Sequence, residues 1–407
     1  MKHIIPGLFF ALLTSTLAVG QVTLGEMNQN LRYSRYSRIA LKIIPLKTGD
    51  RAFRLQLVAD KIEENLDFEN YLFSYMVVSG FQEEISDDMV IALDAESLKK
   101  DTNRHFVFEE EVTIPASQDA AYAVFMAKDA RQGDEYIYHI DLISPFVTDH
   151  PEFAAYFGND VPFDQPYLNV GESLLFKGGR NVNLHHFYYP QEFPVPLPPM
   201  ETKPAPVPME IEVEYKGEFL INVPQPFEDK GYYLVQSDTS SSTGLLVKTA
   251  HKSFPRVSTW EEMVQMVTYI STRREHETLL QAENKKLALD EYWIRMTKNE
   301  EKAKNLIREY FRQVEFANIL FTDFKEGWMT DRGMVYIIMG PPQEVYFQAD
   351  REVWNYLSGN SNSKITFTFA RIKNNLTPNY YTLNRSRAYQ PEWFRNITAW
   401  RNGIVAF

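Results

Sequence analysis

The feature that most limits what this chain can fold into is a change of hydrophobic period near residue 256. Before it, apolar and polar residues alternate in short runs; after it, apolar residues recur every third or fourth position. A strand turns alternate side chains to one face and a helix every third and fourth, so the chain carries two architectures in series. All six tryptophans, Trp260 to Trp400, fall on the helical side. At 407 residues the chain exceeds one ordinary domain, and two or three are expected.

On the strand side, "IALKIIP", "RLQLVA", "FSYMVV", "MVIAL", "HFVFEEEVTIP", "AYAVFMA" and "YIYHIDL" follow one another from Arg38 to about Leu142, separated by polar turns. Short strands at this spacing predict an antiparallel β-sandwich of immunoglobulin-like type, a module spanning 21–148. A second β-rich module is expected over 149–255, from "SLLFKG", "NLHHFYY", "MEIEVEY", "EFLINV", "GYYLVQS" and "GLLVKTA", with "DTSSSTG" as a hairpin tip. Inside it, 190–208 holds eight of the 22 prolines. Proline lacks an amide donor, so this stretch is extended: a stiff loop in preference to a ligand for an aromatic groove.

From 256 to 407 the pattern is α+β. Ser258 and Glu261 read as a capping box ahead of Trp260, and Thr297 and Glu300 as another. Leu289, Tyr292, Trp293 and Met296 share one helical face. Ala303, Leu306, Ile307, Tyr310, Val314, Ala317 and Phe321 make the next stripe. "REVWNYL" and "KITFTFAR" flank the turn "SGNSNS", and a last helix starts near Pro391 with Gly403 beyond its end. The expected fold class is multidomain, mainly β then α+β: two antiparallel β-sandwich (immunoglobulin-like) modules, then a helical unit with a small antiparallel sheet.

The address is legible too. Lys2, the apolar run Ile4 to Leu13, and the small residues Ala18 and Gly20 compose a signal peptide over 1–20, leaving Gln21 as the first mature residue. The chain has no cysteine, which rules out disulfides and a lipoprotein anchor. No later apolar run is long enough to span a bilayer, so the mature chain is expected to be soluble. A net charge of -12 weighs against nonspecific nucleic-acid binding. The expectation is an exported protein, periplasmic, outer-membrane-associated or extracellular.

One stretch stands apart: "FTDFKEGWMTDRGMVYIIMGPPQEV", Phe321 to Val345. Read locally, Gly327 takes left-handed angles past a helix end and Trp328 plugs the junction. Thr330 and Asp331 turn the chain, while Arg332 pairs with Asp331 or reaches a helix C-terminus. Gly333 then opens a strand, "MVYIIM", which Gly340, Pro341 and Pro342 stop, and "EVY" and "EVWNY" pair with it. These nine residues are the candidate binding or structural motif. "GWMTD" followed by "RGMVYIIMGPP", with the later "EVWNY" and "WRNG", resembles the GWxTD-domain family of exported bacterial proteins, best represented in Bacteroidota. The resemblance runs from about Trp260 to Phe407. It implies a bacterial envelope location and supplies no activity and no catalytic residue.

Nothing else in the sequence announces a reaction. There is no HExxH, no Gly-x-Ser-x-Gly elbow, no P-loop and no GxGxxG. His185 and His186 point to opposite faces of a strand and the other histidines are scattered, so neither metal nor cofactor is expected. Glu109, Glu110 and Glu111 read as a solvated strand edge. An acid beside an arginine has its pKa pulled down, which makes Asp331 a structural ion-pair member before a general acid. In "RYSRYSR", Arg32, Arg35 and Arg38 interleave with Tyr33 and Tyr36, as a lead-in to the first strand or a contact for an anionic partner. The functional expectation is a non-catalytic scaffold or binding protein whose partners are other envelope proteins. The alternatives are a hydrolase of envelope polysaccharide or peptide, using carboxylates from distant segments, and a carbohydrate-binding protein using Tyr188, Tyr189 or Trp354.

Overall fold

The computed structural model describes residues 22–64, 66–147, 149–158, 160–178, 183–190, 192–202, 212–240, 243–357, 364–374 and 376–404. The leader over 1–20, residues 191 and 203–208 of the proline-rich stretch, part of "DTSSSTG" and the whole "SGNSNS" turn lie outside the described residues.

The alternating runs become strands. β1 (Ile39–Lys47), β2 (Ala52–Lys61), β3 (Tyr71–Val78), β4 (Ile91–Leu93), β5 (Leu98–Asp101), β6 (His105–Thr113), β7 (Ala121–Asp129) and β8 (Glu135–Ile143) make two antiparallel four-stranded sheets. Their orders are β1-β2-β6-β5 and β4-β3-β7-β8. Leu55, Leu57, Phe106 and Phe108 of one sheet share a core with Phe73 and Phe125 of the other. Alternate residues of each strand fill that layer, as the period of two requires. The sequence reading missed β5, whose "LKKD" has a single apolar residue. Glu109 to Glu111 lie where β6 outruns β5 and one side of the strand is open.

β9 (Phe153–Tyr156), β10 (Tyr167–Asn169), β11 (Ser173–Gly178), β12 (Asn183–Tyr189), β13 (Tyr215–Leu220), β14 (Pro224–Pro226), β15 (Gly231–Gln236) and β16 (Leu245–Ala250) follow. They form sheets β10-β16-β15-β12-β13 and β14-β11-β9, over a core containing Leu174, Phe176, Phe227 and Val247. β10 runs parallel to β16; every other pair here is antiparallel. His186 points inward and stacks on Phe219 at 4.1 Å between ring centroids, while His185 faces the other way beside Glu218.

The helical stripes pack as their spacing requires. α1 (Trp260–Met266), α2 (Arg273–Gln281), α3 (Lys285–Thr297) and α4 (Glu300–Phe321) bury Leu289, Tyr292, Trp293, Leu306, Tyr310, Val314 and Phe321. The caps fall elsewhere than expected. Thr259 and Glu262 form the α1 capping box, one residue late. Asn299 caps α4, because Thr297 still belongs to α3 and Lys298 takes φ +52° between the helices. After α5 (Asp331–Met339) come β17 (Glu344–Gln348), β18 (Arg351–Leu357), β19 (Lys364–Arg371) and β20 (Tyr381–Leu383), an antiparallel sheet in chain order. α6 (Gln390–Arg401) closes the unit with Pro391 in its first turn and Trp393 and Trp400 buried.

These regions interlock. The segment before β1 is more than a lead-in, because it clamps the C-terminal sheet. The Gln29 amide donates to the Val345 carbonyl at 2.8 Å, and Asn28 Oδ1 accepts the Val345 amide at 2.9 Å. The Tyr33 ring sits 5.1 Å from Phe321 and 5.2 Å from Trp354. Leu24, Tyr33, Met76 and Val124 therefore share one core with Trp328, Trp354 and Trp400. Burying these apolar faces against one another removes them from water, the dominant favourable term in folding.

Candidate functional site

The "GWMTD" stretch is a corner in which a short 3-10 turn, Gly327–Met329, is pressed against the last turn and a half of α4. Gly327 does not take left-handed angles, and this corrects the sequence expectation. It is glycine because the chains touch: a Cβ there would lie 1.8 Å from the Ala317 carbonyl oxygen. Asn318 Oδ1 accepts the Trp328 amide at 3.1 Å, and Thr322 Oγ1 accepts the Gly327 amide at 2.9 Å. Trp328 does plug the junction; its indole N–H donates to Glu326 at 3.0 Å, and Tyr269 donates to its carbonyl at 2.6 Å.

Gly333 opens no strand. "DRGMVYIIM" is the helix α5, buried on all sides, and this is the largest correction to the sequence reading. A helix that is apolar all round shows no helical stripe, and its β-branched run mimics a buried strand. Thr330 decides it: its hydroxyl accepts the Gly333 amide at 2.9 Å as an N-cap and donates to the Gly327 carbonyl at 2.7 Å. Gly333 again marks a close approach, since a Cβ there would lie 1.9 Å from the Gly327 carbonyl oxygen. Gly340 ends α5 with φ +79°, and Pro341 and Pro342 forbid continuation of a helix, not of a strand. Accordingly, "EVY" and "EVWNY" pair with each other as β17 and β18.

Asp331 and Arg332 do not pair. They are adjacent on α5 and leave it in different directions. Asp331 accepts Arg385 through both oxygens, at 2.6 and 3.1 Å, and the Leu383 amide at 2.7 Å. Arg332 binds Glu352 at 3.1 Å and the Asn379 carbonyl at 3.0 Å; the Trp354 indole N–H holds the other Glu352 oxygen at 2.6 Å. Two buried ion pairs thus fasten α5 to β18 and to the segment that follows β20. Neither partner was visible in sequence, since each lies twenty or more residues away. Trp354 and Tyr188, offered for glycan stacking, are buried, and Tyr189 is half-buried beside Phe193 and Tyr232; that reading loses two of its three residues.

Where the three regions meet, a cleft of about 680 Å³ opens between the segment before β1, strands β1 and β8, the second β region and the α4–α5 corner. Asp323 lines it, and burial pushes its carboxyl up to about 6 despite Arg332, Lys325 and Lys248 nearby. The unfolded carboxyl titrates lower, so folding favours the protonated form and stability falls as pH rises from about 4 through about 6. Asp323→Asn is therefore expected to raise stability by about 1–2 kcal/mol at pH 8 and to change little at pH 4. Urea denaturation at both pH values checks it.

Two smaller groupings escaped the sequence reading because their members are far apart. His105, Asp60 and Asp164 converge, a set of metal-ligating types. The Lys42 ammonium already holds the two carboxylates, at 3.1 and 3.3 Å, and supplies the positive charge a metal would bring. Beside Trp328, a cavity of about 110 Å³ contains buried Lys248, whose amine burial pushes down to about 8, 3.9 Å from Glu326.

Fold and corner together define a class: paired β-sheets clasped to an α+β unit built around a buried tryptophan turn. Residues 231–402 match the GWxTD domain, and the chain carries one. The match starts earlier than Trp260 and takes in β15 and β16. Their Tyr232 packs with Phe324, and Lys248 faces Glu326, so the hairpin buttresses the corner. No curated protein matches the chain in sequence.

Proposed function

We propose that the protein is an exported, non-catalytic envelope protein that binds other envelope proteins, with the GWxTD motif serving as its internal corner. The leader read in residues 1–20 supports export; the domain limits near 148 and 255 are read from the change of sheet pair after β8 and the change from strands to helices after β16. The strand orders of the first two sheets correspond to A-B-E-D and C′-C-F-G, the order of immunoglobulin-type sandwiches, which commonly serve as recognition modules. The side chains of Trp328, Thr330, Asp331 and Arg332 all hydrogen-bond within the fold, which supports partner contact elsewhere on the surface.

The observation that carries the reading is a set of exposed apolar residues on the first three helices. Leu287 and Ile294, two turns apart on α3, are 55% and 45% exposed, and Leu280 and Trp260 stand out from α2 and α1. Exposed apolar side chains two turns apart on one helix, as Leu287 and Ile294 are, support a contact surface there. Leu287→Glu with Ile294→Glu is expected to leave stability within about 0.5 kcal/mol. It is expected to abolish a crosslinked partner that the wild-type chain retains in its host. Identical capture by both proteins, or none by wild type, contradicts the proposal.

A further inference from the structure

The three arginines of "RYSRYSR" have different fates. Arg35 pairs with Glu309 at 2.9 Å, and Arg38 pairs with Asp129 at 2.9 Å and Glu63 at 2.7 Å. Arg32 feels the charge of Glu352 but has no carboxylate within ion-pair distance and no side-chain hydrogen bond among the described residues, and its Nη1 is shielded from solvent without a partner. Its guanidinium lies 4.1 Å from the Tyr138 ring centroid and 5.1 Å from that of Phe347, and it lines the 680 Å³ cleft. Stacking leaves the N–H edge of a guanidinium free, and a buried donor without an acceptor costs about 1–3 kcal/mol, so such a group is kept for a reason.

The charge count around it agrees. Arg332 and Arg371 also line the cleft, and each has its own carboxylate: Glu352 at 3.1 Å and Asp141 at 2.7 Å. Of the four guanidinium groups lining the cleft, Arg35 is held by Glu309, Arg332 by Glu352 and Arg371 by Asp141. The remaining acids of the cleft wall are engaged too. Lys42 holds Asp60 and Asp164, Lys47 holds Asp149, and Asp323 accepts the Lys325 amide. Arg32 is the cation left over among the described residues of the cleft. The cleft is within the size range of small-molecule sites, and rings line it: Tyr138 and Phe347 against Arg32, and Phe146 and Tyr381 against Arg371.

We propose that this cleft binds a small anionic ligand with a flat or apolar body, its carboxylate or phosphate group held by Arg32. A bidentate acid group supplies the acceptors that Arg32 lacks, and the aromatic walls cover the body. The ligand touches the segment before β1, the first sheets and the GWxTD domain together, so binding stiffens the junction between them.

Benzoate and phenyl phosphate are suitable probes, with benzyl alcohol as the neutral ring and inorganic phosphate as the anion without a body. Calorimetry on the full chain is expected to show one of the two aromatic anions binding, at least tenfold tighter than either control. Which one binds distinguishes a carboxylate from a phosphate ligand. Arg32→Gln is expected to weaken that probe about tenfold or more. Because Arg32 also packs on two rings, hydrogen exchange of the wild-type chain gives a second reading. Added probe should slow amides near 30–36 and 371–381. Neither anion binding at about 5 mM, the millimolar range being where weak fragments begin, would overturn the proposal. So would equal binding of benzyl alcohol, undiminished binding by a folded Arg32→Gln, or protection confined elsewhere.

Discussion

Gly327→Ala is expected to unfold the C-terminal unit or to destabilise it by more than about 4 kcal/mol, the range reserved for severe steric conflicts. The new methyl would meet the Ala317 oxygen at 1.8 Å, its carbon at 2.5 Å and the Asn318 Cα at 2.7 Å. All three are backbone atoms of a 22-residue helix whose apolar stripe is buried, so none can swing aside as a side chain does. Relief requires the turn and α4 to separate, and separation breaks the amide contacts of Gly327 and Trp328 to Thr322 and Asn318. Gly80→Ala is the control: nothing lies within 4 Å of its Cβ position, and its effect should stay within about 0.5 kcal/mol of a surface change. Urea denaturation followed by tryptophan fluorescence reads both, since every tryptophan lies in the affected unit.

Asp331→Ala is expected to cost about 3–5 kcal/mol, the range for breaking a buried ion pair from one side. Both members are largely shielded, with side-chain exposures of 7% and 13%. The variant strands Arg385 with only carbonyl partners, from Leu197 and Leu383, and leaves the Leu383 amide without its acceptor. It keeps the Thr330 cap, which isolates the ion pair from helix initiation. Replacing Arg385 by methionine in the same chain should recover part of the loss, because the uncompensated charge is then gone.

The sequence revealed the longer strands and the helical stripes with one face buried, but not the short strands β5, β9, β10 and β14, and "MEIEVEY" gives no strand over residues 212–214. All seven runs of the first sheets fell on strands, and Leu289, Tyr292 and Trp293 faced the core as spaced. It failed at α5, where burial on every side erases the pattern that separates a helix from a strand. The residues of the corner were legible as a set, but not their partners. Asp331 beside Arg332 suggested a local pair, whereas helix geometry sends neighbours about 100° apart, so Arg332 found Glu352 on β18 and Asp331 found Arg385 just past β20. Glycine likewise signalled a constraint without its kind: Gly340 needs positive φ, while Gly327 and Gly333 need empty space. The cleft was invisible, since its walls come from segments more than 300 residues apart. Only "RYSRYSR" hinted at it, through Arg32, which has no ion-pair partner among the described residues.

That the GWxTD motif is an internal corner, and not the surface that meets a partner, is the central claim. Its most direct test is Asp331→Ala measured twice: for stability in urea, and for crosslinked partner capture at a temperature where both proteins are folded. The expected result is a loss of about 3–5 kcal/mol with capture unchanged. Unchanged stability with lost capture would contradict it, and would make Asp331 part of a site.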